Sequence, residues 1–185
     1  MVIITFSLLI TTRWNTAMVE VKGQKISRIK QTIIDFLITM SLFDELSPIE
    51  LSLTADYMNF FDLEQGKTLF KEGDIGDYIC FVVEGAVDVL KMSGSGKRAV
   101  IATLTRGSTI GEMSIIDNIS RSATVRARKD STLVILSRKG FNAILESHPK
   151  IGIKILKGVA RLLSLNMRRT SSHLADHIMA PESDE

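Results

Sequence analysis

Between residues 25 and 40 the apolar side chains Ile26, Ile29, Ile33, Ile34, Phe36, Leu37 and Met40 recur at three- and four-residue intervals. That is the stripe of a helix with one buried face. The pattern breaks over residues 41–46 and restarts at Ser47-Pro48-Ile49-Glu50. There Ser47 can cap, Pro48 suits the first helical position and Glu50 completes a capping box, so a second helix is expected to about Tyr57. The period then falls to two. Residues 59–63, 67–70, 78–84, 86–92, 97–104, 123–128 and 132–137 read as strands, separated by turn chemistry at Gln65-Gly66, residues 71–77, Gly85, residues 93–96 and residues 129–131. In the 71–77 turn, Gly73 and Gly76 are expected in left-handed conformations. Val87 and Val89 share one strand face; Ala99, Ile101 and Thr103 share another. Helical spacing returns after Ser137, which can cap a helix through Phe141, Ile144 and Leu145 to His148. Pro149 opens a last helix with Ile151, Ile155, Leu156, Val159, Leu162, Leu163 and Met167 on its apolar face, ending near Ile178. Short strands bracketed by helices imply a small antiparallel roll.

A chain of 185 residues suits one domain with appendages. With 45% apolar and 24% charged residues it reads as an ordinary globular protein, and a net charge of +2 gives no basic excess pointing to nucleic acid. The single cysteine, Cys80, lies in the apolar run 78–83 and reads as a buried, inert thiol, consistent with a cytoplasmic location. The apolar first ten residues are too few to span a bilayer, which takes about 20. They lack the leading positive charge of a secretory signal. Residues 1–22 therefore read as a leader outside the fold, with Met18 as a plausible true start and a membrane-associating stub as the lesser reading.

The chemistry concentrates in residues 105–125. Gly111 admits close backbone approach. Glu112 is a carboxylate suited to a sugar hydroxyl. Residues 113–116 can form one helical turn whose free N–H groups, at Met113 and Ser114, attract an anion. Arg121 supplies a planar fork of donors matched to phosphate oxygens, with Ser122 and Ala123 adding a hydroxyl and an N–H beside it. Ile-Gly-Glu-Met at 110–113 and Arg-Ser-Ala-Thr-Val at 121–125 together resemble the phosphate-binding cassette of the cyclic nucleotide-binding domain family. The expected fold is then α+β and mainly β. It is an antiparallel, eight-stranded, jelly-roll-like β-roll with a helical N-terminal segment and two C-terminal helices. Residues 23–178 would form the domain, with helices in 25–57, the roll in 58–137, C-terminal helices in 138–178 and a tail at 179–185.

The resemblance implies a ligand, cAMP with cGMP as an alternative, and roles for individual residues. Arg121 would neutralise the cyclic phosphate, helped by N–H groups near Ser114 and Ala123, while Glu112 would hold the ribose 2′-hydroxyl. Ser122, where a threonine would favour cGMP, leans towards cAMP. Val89 and Ile101 would wall the ribose and base, or be ordinary roll core. Asn166 and Met167 would reach the base from the last helix, or Asn166 would face solvent or a dimer seam. Met113 would relay the ligand's presence to the helix beginning at Arg138. Ser120 replaces a frequent proline and Ile110 a frequent aromatic.

No nucleophile–base arrangement suggests an enzyme. His173 and His177 lie four apart beside Asp176 but lack further ligands, so they read as a solvated face and no metal is expected. Lys157, Arg161, Arg168 and Arg169 read likewise, without nucleic acid. The short sequence after the last helix leaves no room for a DNA-reading motif, so output to an unidentified effector protein is expected. Leu156, Val159 and Leu163 start a heptad-like seam that permits a homodimer, although it turns polar at Asn166, Thr170 and His173. The rival reading keeps the fold as a ligand-independent interaction module.

Overall fold

The computed structural model describes residues 27–92 and 98–179. The leader at 1–22, the Ser93-Gly94-Ser95-Gly96 turn and all but the start of the 179–185 tail lie outside the described residues. Helix α1 spans residues 27–37 and buries Ile33, Phe36 and Leu37. A 3₁₀ turn, Ser41–Phe43, leads to α2, Pro48–Ala55. The start of α2 is the reciprocal cap expected from sequence: the Ser47 hydroxyl accepts from Glu50 N, and the Glu50 carboxylate accepts from Ser47 N at 2.7 Å.

The strands are β1 (Met58–Leu63), β2 (Thr68–Phe70), β3 (Tyr78–Met92), β4 (Arg98–Thr105), β5 (Thr109–Ile110) and β6 (Thr124–Ser137). They form one antiparallel sheet in the order β1-β6-β3-β4, with β2 also paired to β6 and β5 to β3. Eight strands were expected; six are present among the described residues, because two of the anticipated breaks are bends inside continuous strands. At Gly85 (φ 98°) the β3–β6 register shifts, and Ser131 stands so close that a Cβ there would lie 2.2 Å from its Oγ. The Ser131 hydroxyl stitches the bend by accepting from Ala86 N at 3.0 Å and donating to Lys129 O at 2.8 Å. Thus β3, with 15 residues, and β6, with 14, each serve two sides of the roll.

Alternation along β3 divides the interior in two. Ile79 and Phe81 face a helical core with Val134 and Leu136 of β6, while Cys80 and Val82 face the roll core with Val87, Val125 and Leu133. Helix α4 (Arg138–Ser147) is capped by Ser137, whose hydroxyl accepts from Gly140 N at 3.0 Å. Helix α5 (Pro149–Met179) buries Ile151, Ile155 and Val159 in the helical core. Leu156 and Leu163 pack on the same core, so the seam anticipated for a dimer is largely occupied within the chain. Gly158 rests on the 3₁₀ turn, where a Cβ would meet Leu42 O at 2.0 Å. Two ion pairs reinforce this contact, Lys154–Glu50 at 2.7 Å and Arg161–Glu45 at 2.5 Å. Among the described residues no helix is long and apolar enough to cross a membrane.

Candidate functional site

The site is built where β5 ends and the chain turns into α3 (Glu112–Asp117). Gly111 is the N-cap, with φ 79°, a backbone state that glycine adopts without strain. Space imposes the same choice, since a Cβ there would lie 1.9 Å from Arg121 Nη1. Arg121 is 3% exposed. Its Nη1 donates to Gly111 O at 3.2 Å and its Nη2 to Tyr78 O at 2.7 Å. Nε is buried with no partner. The 71–77 turn frames the arginine from behind: Arg121 N donates to Asp74 O at 2.8 Å, and Gly73 N to Arg121 O at 2.9 Å. Gly73 takes the left-handed conformation expected of it, at φ 87°; Gly76 does not. Gly76 is needed for clearance instead, because a Cβ would lie 2.2 Å from Ser114 Cβ.

Arg121 and Glu112 open onto one recess of about 130 Å³. The sequence-derived residues Gly111, Met113, Ser114, Ser122, Ala123 and Val89 line it as well. Phe70, Leu104, Ile110 and Val125 complete the wall. These four went unassigned because an apolar strand residue carries the same sequence signal in any core. Burial pushes the Glu112 carboxyl above its usual range; its own backbone N–H and the Arg121 guanidinium pull the other way. Ser122 is exposed, and its carbonyl accepts from Lys91 Nζ at 2.5 Å. A larger cavity of about 320 Å³ lies at Asp62, Glu64, Glu84 and Asp130. No cation lines it, so an anionic ligand would be repelled there.

A buried arginine, a carboxylate and a short helix start around one recess have the chemistry to hold a small anion bearing a hydroxyl. The family model described as "Cyclic nucleotide-binding domain" matches residues 60–148, which contain the whole recess. A solved N-terminal domain of a transcriptional regulator from Streptomyces coelicolor A3(2) is 30% identical with TM-score 0.64, covering 71% of this chain and 94% of that one. The chain belongs to the cyclic nucleotide-binding domain family. A solved cyclic nucleotide-binding domain from Methylobacillus flagellatus KT superposes with TM-score 0.74 at 28% identity, over 84% of this chain and 87% of that one. The cyclic AMP receptor protein of Thermus thermophilus is 32% identical over 122 residues, 66% of this chain. The chain spans 56% of that relative's length and under a tenth of several larger curated ones.

As a cyclic nucleotide-binding domain the chain presents, among the described residues, a recess lined from the roll and α3. The volume falls short of the roughly 300–1,000 Å³ of enclosed ligand sites. Ile101, expected to wall the base, is 61% exposed and does not line the recess. Val89 pairs with Ala102 and Leu90 with Val100, so Ile101 is the extra residue of a bulge, and the alternation that would aim it inward fails there. Asn166 and Met167 are exposed on α5 and are not among the residues lining the recess. The backbones of His173 and His177 belong to α5; their side chains lie outside the described residues, among which no cluster of three or more potential metal ligands occurs.

Met113 is the residue expected to relay the ligand's presence to the helix beginning at Arg138. Met113 is 49% exposed on the recess, whereas Ile115, 6% exposed, enters the helical core with Phe141, Ile144 and Ile155. Arg138, the first residue of α4, went unrecognised beyond marking a helix start. Its guanidinium donates to the carbonyls of Ser114, Ile115 and Gly76 and to Asn118 Oδ1. It thereby places positive charge at the carbonyl end of α3, where the helix dipole favours it.

Proposed function

We propose that the recess binds a cyclic nucleotide, cAMP in preference to cGMP, and that binding is passed through α3 to α4 and α5 and on to an effector protein. One observation carries the reading: a buried arginine whose side-chain acceptors are two neutral carbonyls lines one recess together with a carboxylate. A cyclic phosphodiester supplies the missing anion. Arg121 would take its oxygens in a fork, with the N–H groups of Ser114 and Ala123 alongside, and Glu112 would accept from the ribose 2′-hydroxyl. The preference for adenine rests on Ser122 following Arg121. Val89 and Phe70 give the sugar apolar walls. Closure over the base would draw on Asn166, Met167 and Ile101, so α5 and the bulge of β4 would have to approach the recess. A ligand shifts these helices only by the difference in its affinity for the two arrangements. Chemistry on the nucleotide is not part of the reading, since a guanidinium and a carboxylate suffice to hold it. A ligand-independent module is the second reading. It is favoured by the two carbonyls that already occupy part of the Arg121 fork.

Calorimetric titration with cAMP and cGMP separates the two. Binding to the wild type, with a loss of about 2–5 kcal/mol in Arg121→Ala, is the expected result. Failure of both nucleotides to bind, or an affinity unchanged by Arg121→Ala, removes the proposal. The 2′-deoxy analogue of cAMP should lose affinity relative to cAMP in the wild type, and that difference should vanish in Glu112→Gln.

A further inference from the structure

We propose that Phe70 and Tyr78 form an aromatic corner that holds the Arg121 guanidinium in its phosphate-receiving pose before any ligand arrives, and so sets the affinity of the recess for a phosphodiester. The inference rests on the recess being the nucleotide site argued above. Neither ring belongs to the set of residues that the cassette motif singles out.

Arg121 is buried without a carboxylate partner among the described residues, and its side-chain acceptors are the carbonyls of Gly111 and Tyr78. A buried cation held only by neutral acceptors leaves much of its lost hydration uncompensated. The two rings supply a further favourable contact. Arg121 Cζ lies 4.1 Å from the Phe70 centroid and 4.5 Å from that of Tyr78, well within the roughly 6 Å over which a ring face attracts a cation. The ring centroids are 6.2 Å apart with their planes inclined by 63°, so the rings meet as a corner and do not sandwich the cation. Two sides of the guanidinium are thereby fixed by π faces, and its donors stay available for the Gly111 and Tyr78 carbonyls and for a ligand. Nε remains unpartnered beside Gly76, whose missing side chain gives it room.

The rings are themselves tied down. Phe70 pairs with Val125 in the β2–β6 ladder and is 8% exposed in the roll core. The Tyr78 hydroxyl donates to Leu69 O at 3.2 Å. Phe70 ends β2 and Tyr78 begins β3, so the two rings stand at the ends of the turn whose Gly73 and Asp74 hold the Arg121 backbone. Turn and rings together act as a single holder. A long side chain that is already ordered does not lose its rotamer freedom on capturing a ligand, and this is where positioning becomes affinity.

The test uses the full chain and four variants, Phe70→Leu, Phe70→Tyr, Tyr78→Leu and Tyr78→Phe, titrated calorimetrically with cAMP. The leucine variants should bind roughly five- to thirty-fold more weakly. The aromatic variants should stay within about twofold of wild type, since each keeps a π face beside the cation. In the ligand-free protein the Arg121 Nε–H proton resonance should be displaced upfield by the rings and return towards the ordinary arginine position in Phe70→Leu. A purely structural role would weaken leucine and aromatic variants alike or leave the resonance unmoved; either result overturns the proposal, as does wild-type affinity in the leucine variants. If the wild type binds neither cAMP nor cGMP, the functional reading fails, and the ligand-free resonance alone decides whether the rings hold the guanidinium.

Discussion

Glu112 lies under two opposed demands. Its folded environment raises the carboxyl's pKa, chiefly through burial, so the ionised form that would hold a ribose hydroxyl is the form the fold disfavours. Because the folded value lies above the unfolded one, the penalty is absent when both states are protonated. It grows as pH rises through the carboxylate range. Glu112→Gln should therefore raise the melting temperature of the ligand-free protein at neutral pH, by an amount that shrinks as pH is lowered, while weakening nucleotide binding. Melting curves collected across pH check the first part and titration the second. Gly111 shows how far such a residue can be understood from sequence. Its suitability for close backbone approach is readable from glycine itself, whereas its left-handed backbone is not, since an N-cap is ordinarily extended, as at Ser47 and Ser137. The clash of any Cβ with the Arg121 guanidinium follows only from the fold. Gly76 was legible as a glycine that matters but not for the right reason, since clearance from Ser114 is a long-range contact that turn chemistry does not encode.

At the level of elements, α3 is held at both ends by arginines: Arg121 on the carbonyl of its N-cap, Arg138 on the carbonyls of Ser114 and Ile115. Its apolar anchor is Ile115. Truncating Ile115→Ala should cost about 2–5 kcal/mol in urea unfolding. Met113→Ala, at a half-exposed site, should stay within roughly 0.5 kcal/mol. The reverse order would restore Met113 as the contact between cassette and helices. Helical spacing and caps were readable here because their causes are local: Ser47, Ser137 and Pro149 each sit where their own chemistry starts a helix. The strands were less so. Gly85 and residues 129–131 carry turn chemistry, yet pairing along β3 and β6 continues through them, and Ile101 slips off its expected face at a bulge. Both outcomes depend on partner strands, to which a single strand's sequence is blind. The two-residue β5 is too short to show any period.

Over the whole molecule, the N-terminal helical segment is fastened to α5 by the Lys154–Glu50 and Arg161–Glu45 pairs. Hydrogen bonding from Lys154, and then from Ser47 N–H, holds the Glu50 carboxyl down to about 2, against an ordinary value of 4.5. The folded value lies below the unfolded one, so the ionised pair stabilises the fold above the ordinary carboxylate range. That contribution is lost as pH falls through about 2. Lys154→Met should flatten the acid limb of stability against pH, read as the urea midpoint at each pH. At neutral pH the partly exposed pair should be worth no more than about 1 kcal/mol. An acid limb as steep as that of the wild type would show that other carboxylates govern it. Beneath this pair, Gly158 meets the Leu42 carbonyl with no side chain between them. Main chain bearing directly on main chain leaves no side chain to yield between them, so a shift of the last helix at Gly158 would press straight on the 3₁₀ turn at Leu42.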